Sequence, residues 1–483
     1  GLVLSLLGTA LGVLVAVVGK ELLMAGLPEG LPRVGQVEID GRVLGFTALL
    51  AGLIGVAFGM TPALQARRRN VQGGSSLGAR SAAGSSHNPK VRRSLVIVEV
   101  GLSVVLVIGA TLLMRSFAAL SAVDPGFEPE RVLKVQFQLP PSRYPVDFTQ
   151  FPNFTEILAF NRTVRDRVAD LPGVVAAAVA SNHPIEDGFT NSFLIEGRED
   201  EFESQAELPM RLVSPGYFET VGVPLVRGRL LSPSDDLDSP PVLVINQAAA
   251  DLYFPAGDAI GSRIGFWGAG FREIVGIVGN ERFQGLDQAA PPAMYPSTLQ
   301  LPVLGSVRLL VRTAGDPGLI LPFVREVFRE LDPALPLFSV ETLHQALAES
   351  IGRERFTSLL VSTFAAVALV LSLLGVYGIL AYSVARRRGE IGVRVALGAT
   401  KREIAGLVVR QGMTMVGVGL VLGLAGAAAG TRLLASQLYG IHPLDGATFG
   451  AVAAGVLAVA LTATLLPAAR AARTDPALAL QAD

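Results

Sequence analysis

The 483-residue sequence contains no cysteine, which excludes disulfides, thiolate metal sites and a cysteine nucleophile and leaves packing alone to hold any external domain together. Its four histidines, His87, His183, His344 and His442, lie far apart and form no HExxH or similar ligand cluster, so no metal and no cofactor is expected. Charge is scarce as well. Only 17% of residues are Asp, Glu, Lys or Arg, and the formal net charge of −1 leaves no basic surplus to neutralise a phosphate backbone, which argues against nucleic acid as a partner. No G-x-x-x-x-G-K-[ST] run occurs, so this polypeptide lacks a phosphate-cradling ATP loop, and it is not expected to be an enzyme. What it has in excess is apolar surface. Half of its residues are hydrophobic, which places it among membrane proteins before any motif is considered.

Six apolar stretches approach the roughly 20 residues that a helix needs to cross the hydrocarbon core: 1–19, 43–64, 94–114, 356–384, 404–430 and 448–467. The stretch from 356 is longer than a crossing requires, which predicts a helix that continues into the aqueous phase. Short loops rich in Lys and Arg stay cytosolic. Arg67, Arg68, Arg69, Arg80, Lys90, Arg92 and Arg93 stand between the second and third stretches, Arg386, Arg387, Arg388, Arg394, Lys401 and Arg402 between the fourth and fifth, and Arg470 and Arg473 after the sixth. With these inside, 20–42, 432–445 and the long stretch 115–355 fall outside, and six crossings satisfy every assignment. The chain starts with Gly1 in an apolar run, without an initiator Met or a secretory signal pattern, and is expected to be a fragment of a longer protein.

Residues 73–90 are rich in Gly, Ser and Ala and read as a flexible cytosolic linker between two homologous modules. The ends of the chain resemble each other. Gly8, Leu11, Gly12 and Gly19 match Gly419, Leu422, Gly423 and Gly430 at one constant offset, and Asp40, Gly41, Gly45, Pro62 and Ala63 match Asp445, Gly446, Gly450, Pro467 and Ala468 at a second. Small-xxx-small pairs at Gly419 and Gly423 and at Gly426 and Gly430 are expected to let helix backbones approach closely, within one bundle or at a dimer seam. The one clear intramembrane acid, Glu99, lies near the cytosolic boundary, where an interhelical hydrogen-bonding role and a functional one both stay open.

From Arg131 the pattern changes to alternation, with Leu133, Val135, Phe137 and Leu139 on one face, which predicts a half-buried strand. Ile157, Phe160, Val164, Val168 and Leu171 follow at helical spacing, Pro172-Gly173 stops that helix, and 174–180 reads as a second strand, giving a β-α-β unit. A second unit comprises Val307, Leu309 and Val311, a helix through Val324, Val327, Phe328 and Leu331 entered at Asp316-Pro317, and a closing strand at 335–340. Between them lies a Gly/Pro-punctuated region with short strands at 241–245 and 273–278. The expected fold is therefore a membrane α-helical bundle of about six transmembrane helices. It carries a large extracytoplasmic α+β domain of two lobes, a split β-α-β porter-like lobe and a β-rich insertion at about 185–300.

The run from Arg386 to Ile404 offers a basic stretch, an amphipathic turn with Ile391, Val395 and Leu397 apolar, a break at Gly398 and a new helix cap at Thr400. Glu390-Ile391-Gly392, Arg394 and Ala396-Leu397-Gly398-Ala399 resemble the coupling segment of MacB/FtsX-type permeases, whose pattern is R-x-R-E-I-G-I-R-x-A-L-G-A-x-R; Gly389 departs from it. Asp124-Pro125-Gly126-Phe127, Gly216-Tyr217-Phe218, Gly222-Val223-Pro224-Leu225, Arg227-Gly228-Arg229 and Val275-Gly276-Ile277-Val278-Gly279 are also similar to that family. The resemblance runs from Val91 to the C-terminus, and with two modules in tandem the chain is similar to the duplicated permeases of acidobacterial type.

The resemblance implies the end of a first module (1–70), a linker (71–92), a first helix of the second module (93–118), a periplasmic core domain (119–352) and a permease domain with three helices (353–483). It further implies a separate ATP-binding subunit docking on 386–404, through Arg386, Arg387, Arg388, Glu390, Ile391, Gly392, Arg394, Ala396, Leu397, Gly398, Ala399, Lys401 and Arg402. Location in the bacterial inner membrane, contact with membrane lipids, a periplasmic adaptor or client protein and a pseudo-dimer of the two modules follow as expectations. The function expected is transmission of ATPase motion to the periplasmic domain for export or envelope remodelling. The alternative is an orphan scaffold or sensor without ATP coupling; a secondary transporter is disfavoured because charged residues and broken helices near the midplane are lacking.

Overall fold

The computed structural model describes residues 8, 10, 12–14, 17, 40–42, 44–49, 52, 89–145, 154–198, 207–266 and 270–472. Much of the first two expected spans and most of the linker lie outside them. The chain divides into two units, Leu120–Ile351, and Gly1–Ala119 together with Gly352–Asp483.

Helix α1 (Pro89–Ser121) leads to the first of these units. There β1 (Val132–Gln138) forms as its alternation predicts, with Leu133, Val135 and Phe137 buried. It is followed by α2 (Thr155–Ala169) and β2 (Val174–Ala180), and, after an inserted second sheet, by β11 (Ser306–Thr313), α5 (Leu321–Leu331) and β12 (Leu337–Thr342). The strand order is β12-β1-β11-β2 with every neighbouring pair antiparallel. Thus β11 lies between β1 and β2, and β1 between β11 and β12, so that two split β-α-β units interleave. The closing strand begins two residues later than its pattern suggested, because Pro336 has no N–H to give to a ladder. The faces of α2 and α5 that carry Phe160 and Phe328 meet Phe137 edge-on, at 6.0 and 5.0 Å between ring centroids.

The inserted sheet comprises β3 (Phe189–Asn191), β4 (Leu194–Ile195), β5 (Leu208–Met210), β6 (Leu225–Gly228), β7 (Val242–Asn246), β8 (Arg263–Gly265), β9 (Phe271–Val278) and β10 (Met294–Pro296). Its order is β3-β5-β10-β7-β9-β8-β4, with β6 also on β9. Two short helices, α3 (Tyr217–Val221) and α4 (Gln247–Tyr253), punctuate it, and α6 (Leu343–Ser350) follows β12. One apolar cluster contains Phe137 and Leu309 of the first sheet and Leu243, Ile245 and Met294 of the second, so the sheets share a core.

Several motifs of the Leu120–Ile351 unit are places of close backbone approach. A Cβ on Gly126 (φ +82°) would stand 1.8 Å from the Asn280 carbonyl oxygen, one on Gly228 (φ +82°) 2.3 Å from that of Val275, and one on Gly276 2.1 Å from that of Arg229. Glycine is needed there because no side chain fits. Beside them Arg211 and Glu281, both fully buried, form a salt bridge. The Tyr217 hydroxyl accepts from Arg211 Nη1 at 2.8 Å and donates to Glu281 Oε2 at 3.0 Å, and the Phe283 ring lies 4.1 Å from the guanidinium. Burial pushes the Tyr217 hydroxyl well above its ordinary pKa, which keeps the donated proton in place.

In the other unit α7 (Gly352–Arg386), α8 (Arg388–Ala396), α9 (Lys401–Gly430) and α10 (Gly446–Ala471) complete the chain. Four helices among the described residues are long and apolar enough to cross a membrane, at Arg92–Ser121, Gly352–Arg386, Lys401–Gln437 and Gly446–Ala471. Val96, Val100, Val104, Ile108 and Leu112 form the buried stripe of α1, at the spacing of one helix face. Asp445 caps α10, accepting from Thr448 N at 2.8 Å, and is salt-bridged to Arg115 of α1. The amide of Phe449 donates to the Asp445 carbonyl at 3.1 Å, and that of Leu44 to the Asp40 carbonyl at 3.1 Å, the same first helical bond at the position matched in the sequence repeat.

Candidate functional site

The segment joining α7 to α9 is built by short-range rules. Arg387 leaves the helical region at φ −103°, ψ 18° and separates α7 from α8. Glu390 lies in the first turn of α8 and Arg394 in the last, each at the end where the helix dipole favours its charge. Glu390 accepts from Arg394 at 2.8 Å and faces Arg387 Nε at 3.7 Å. These side chains are about half exposed, so each pair contributes only about 0.3–0.5 kcal/mol. The stop is firmer. Gly398 takes φ +99°, its amide donates to the Val395 carbonyl at 3.0 Å and that of Ala399 to Arg394 at 2.9 Å, a Schellman-type closure. Thr400 then opens α9 with a reciprocal capping box. Its Oγ1 accepts from Glu403 N at 3.3 Å and its N–H donates to Glu403 Oε2 at 2.8 Å.

The expected apolar face is only partly present. Ile391 and Gly392 are buried and Val395 and Ala399 half-buried, but Leu397 is 83% exposed. Six residues at about 100° each carry it some 240° around the helix from Ile391. Val393, at 46% exposed, is four residues away from Leu397, on the same outward side. Arg386, Arg387, Arg394, Lys401 and Arg402 are exposed too, as is Ala396. The sequence pattern treated all apolar residues of a short helix as one face; the angular bookkeeping that separates Leu397 from Ile391 was available in it.

Other singled-out residues lie elsewhere in the bundle. Glu99 turns toward α7, where a Cβ on Gly375 would be 2.9 Å from Glu99 Oε2, and Ser372 Oγ donates to the Glu99 carbonyl at 3.1 Å. Along α9 the glycines differ. A Cβ on Gly419 would meet Val100 at 2.8 Å, one on Gly423 would meet Val104 at 2.6 Å and the Gly101 carbonyl oxygen at 2.7 Å, and one on Gly426 would meet Val105 at 3.3 Å. Gly430 faces open space, whereas Gly412, which the spacing rule did not select, would press a Cβ to 2.5 Å from Thr464. No group of three or more His, Asp or Glu able to hold a metal occurs among the described residues.

Two family models match the chain: the MacB-like periplasmic core domain over residues 95–316 and the FtsX-like permease C-terminal domain over 362–476. The ABC transporter permease YvrN of Bacillus subtilis (strain 168) is 25% identical over 337 residues, covering 65% of this chain and 80% of that protein. The macrolide export ATP-binding/permease protein MacB of Bartonella henselae is 26% identical over 291 residues, 58% of this chain and 43% of that protein. The chain thus spans less than half the length of this MacB relative. Among solved structures, the periplasmic region of MacB from Actinobacillus actinomycetemcomitans aligns at 14% identity and a TM-score of 0.32, over 46% of this chain and 92% of that one. Carrying the MacB-like and FtsX-like domains in this order, the chain belongs to the MacB/FtsX-type ABC transporter permeases.

Proposed function

We propose that the chain is a permease subunit that spans the bacterial inner membrane six times, holds residues 119–352 in the periplasm and receives motion from a separate ABC-type ATPase at 386–404. The observation that carries this reading is the exposure of Val393 and Leu397 in a segment that also exposes Arg387, Arg394, Lys401 and Arg402. Lys401 and Arg402 stand in the first turn of α9, the end at which a helix dipole disfavours cations. Their presence is not explained by helix stability, and it suits an acidic rim on a partner around a pocket for Leu397. The MacB relatives are named ATP-binding/permease proteins, while residues 1–483 contain no phosphate loop, and in this reading the nucleotide is bound outside these residues. Motion delivered to α8 serves export or envelope remodelling by acting on a periplasmic adaptor or client. In the same reading the two tandem modules pair as a pseudo-dimer, and the two sheets of the external unit are its two lobes.

The test is co-purification of an ABC-type ATPase with the tagged full-length chain from native membranes. Leu397→Asp, and separately Arg387→Glu with Arg394→Glu, are expected to lower recovery at least tenfold. Unchanged recovery with both variants would sink the docking site and return the scaffold reading. A cysteine placed at 397 in this cysteine-free chain is expected to react with impermeant maleimide only in inside-out vesicles.

A further inference from the structure

Contacts with α1 fix the depth of α9 in the bundle. A Cβ on Gly419 would meet Val100 and one on Gly423 would meet Val104, so the two helices run parallel in one register. Extended along both, that register sets Gln411 level with Arg92 and Arg432 level with Leu113. The 21 residues between Arg410 and Arg432 carry no charge, and at helical rise they measure about 32 Å, close to the thickness of a hydrocarbon core. Arg93 and Arg115 bracket a stretch of equal length on α1, interrupted only by Glu99. On α7, Tyr382 meets the same level, with the Arg92 guanidinium 4.9 Å from its ring, and Tyr and Arg together are typical of a membrane interface. The outer surface of α9 changes character at this point. The exposed residues from 401 to 410 are Lys401, Arg402, Glu403, Gly406, Leu407 and Arg410, mostly charged, whereas those from 411 to 430 include Val418, Val421 and Leu422 and no charge.

We propose that the cytosolic edge of the hydrocarbon runs at Arg92, Tyr382 and Arg410, and that Leu397 stands beyond the headgroups on a stalk made of the first nine residues of α9. An edge at Ile404, where the apolar run begins, would set Arg410 about 9 Å inside the core, a costly place for a charge. With the edge at Arg410 the charge is at the boundary. Side chains on a helix lean toward its N-terminus, on α9 the cytosolic end, which carries this guanidinium toward the phosphates. Lys401 then begins about 13 Å outside the core, past the roughly 5–8 Å that headgroups occupy. Leu397 precedes it across the Gly398 turn, so its bare side chain meets water and not acyl chains. Seven Lys or Arg between 386 and 410, against Glu390 and Glu403, give this stalk a basic surface that suits an acidic soluble protein. The choice of partner rests on the docking role proposed above; the depth of Arg410 does not.

The experiment places single cysteines, Leu397→Cys, Leu407→Cys and Val418→Cys, in the cysteine-free full-length chain, attaches a nitroxide to each and reconstitutes the protein in nanodiscs of phosphatidylcholine. Collision with a water-soluble nickel chelate relative to oxygen reads the depth of each label. The ratio is expected to be at least tenfold higher at 397 than at 418, with 407 between them. Arg410→Leu is expected to lower the ratio at 407 at least threefold by letting α9 sink, and Arg402→Leu to leave it within twofold. Replacing half of the lipid by phosphatidylglycerol is expected to leave the ratio at 397 unchanged. A label at 407 as oxygen-rich as the one at 418, or a response to Arg402→Leu and not to Arg410→Leu, puts the edge nearer α8 and overturns the proposal. A ratio at 397 that falls at least twofold with phosphatidylglycerol shows α8 lying on the lipid surface and overturns it as well. No ATPase enters this readout, so the depth of the stalk and the docking test at Leu397 fail or succeed separately.

Discussion

Alanine at position 423 tests how α1 and α9 are held together. The added Cβ would stand 2.6 Å from Val104 Cβ and 2.7 Å from the Gly101 carbonyl oxygen, against the 3.4 Å at which ordinary contact begins. The helices therefore have to separate by about 0.8 Å, and both obstacles are close to the backbone, so no side-chain rotation relieves the overlap. Overpacking of this size costs about 1–3 kcal/mol. Replacing Gly by Ala within a helix by itself stabilises by roughly 1 kcal/mol, so the clash is isolated by comparison with Gly417→Ala, where nothing lies within 4 Å of the new atom. Both variants change one glycine of the same helix to the same residue. The assay is SDS titration of the detergent-solubilised chain followed by far-ultraviolet circular dichroism. Gly423→Ala is expected to fall below Gly417→Ala by about 1–3 kcal/mol, about 5- to 150-fold in the folding equilibrium. Equal midpoints, within about 0.5 kcal/mol, would refute the close approach of α1 and α9 at this glycine.

Three further outcomes follow from the same geometry. Arg211→Met strands the buried Glu281 carboxylate and is expected to destabilise the external unit by about 3–5 kcal/mol, whereas Arg211→Met with Glu281→Leu recovers most of the loss; thermal melts of the full-length chain measure both. Burial, with Lys134 nearby, lowers the His183 pKa to about 4 from its ordinary 6.5, so the unfolded chain takes up that proton before the folded one. Stability of the external unit is therefore expected to decline as the pH falls from 6.5 toward 4, by up to the order of 3 kcal/mol, and His183→Gln to flatten that slope in pH-dependent melts. Thr400→Ala removes the capping box and is expected to cost about 0.5–2 kcal/mol, seen as faster amide exchange over 401–404 and not elsewhere.

What could be read in the sequence was decided by near neighbours in the chain. The alternation of Leu133, Val135 and Phe137, the helical spacing from Ile157 to Val168, and the Gly398 stop followed by the Thr400 cap all report backbone preferences set within a turn or two. What could not be read depends on partners far away. Arg211 finds Glu281 seventy residues later, and Arg115 finds Asp445 over a separation of 330. Neither sequence neighbourhood marks its residue as paired. The glycines of α9 make the same point within one helix. Gly417, Gly419, Gly423 and Gly430 look alike as letters, and only the path of α1 decides that two of them are contacts and two are open.

The site itself divides along that line, and the division bears on how it works. The salt bridges on α8 are half exposed and weak, so they do not fix the helix against a load. The junction with α9 is held by backbone hydrogen bonds, a left-handed glycine and a reciprocal cap, which tolerate little change in angle. On the proposed function, a force applied at Leu397 would meet a compliant surface and a stiff joint, and displacement of α8 would be carried into α9 and not absorbed between them. From α9 the proposed path would lead to α1 at Gly419 and Gly423, where the two helices approach too closely for a Cβ. Gly398→Ala tests the joint. Its φ of +99° disfavours any side chain although open space surrounds it, so the substitution is expected to soften the turn while leaving Leu397 exposed. On the proposed function this variant keeps the ATPase and loses the response of the external unit. Loss of both together would show that the turn shapes the docking surface and is not the joint that carries the load.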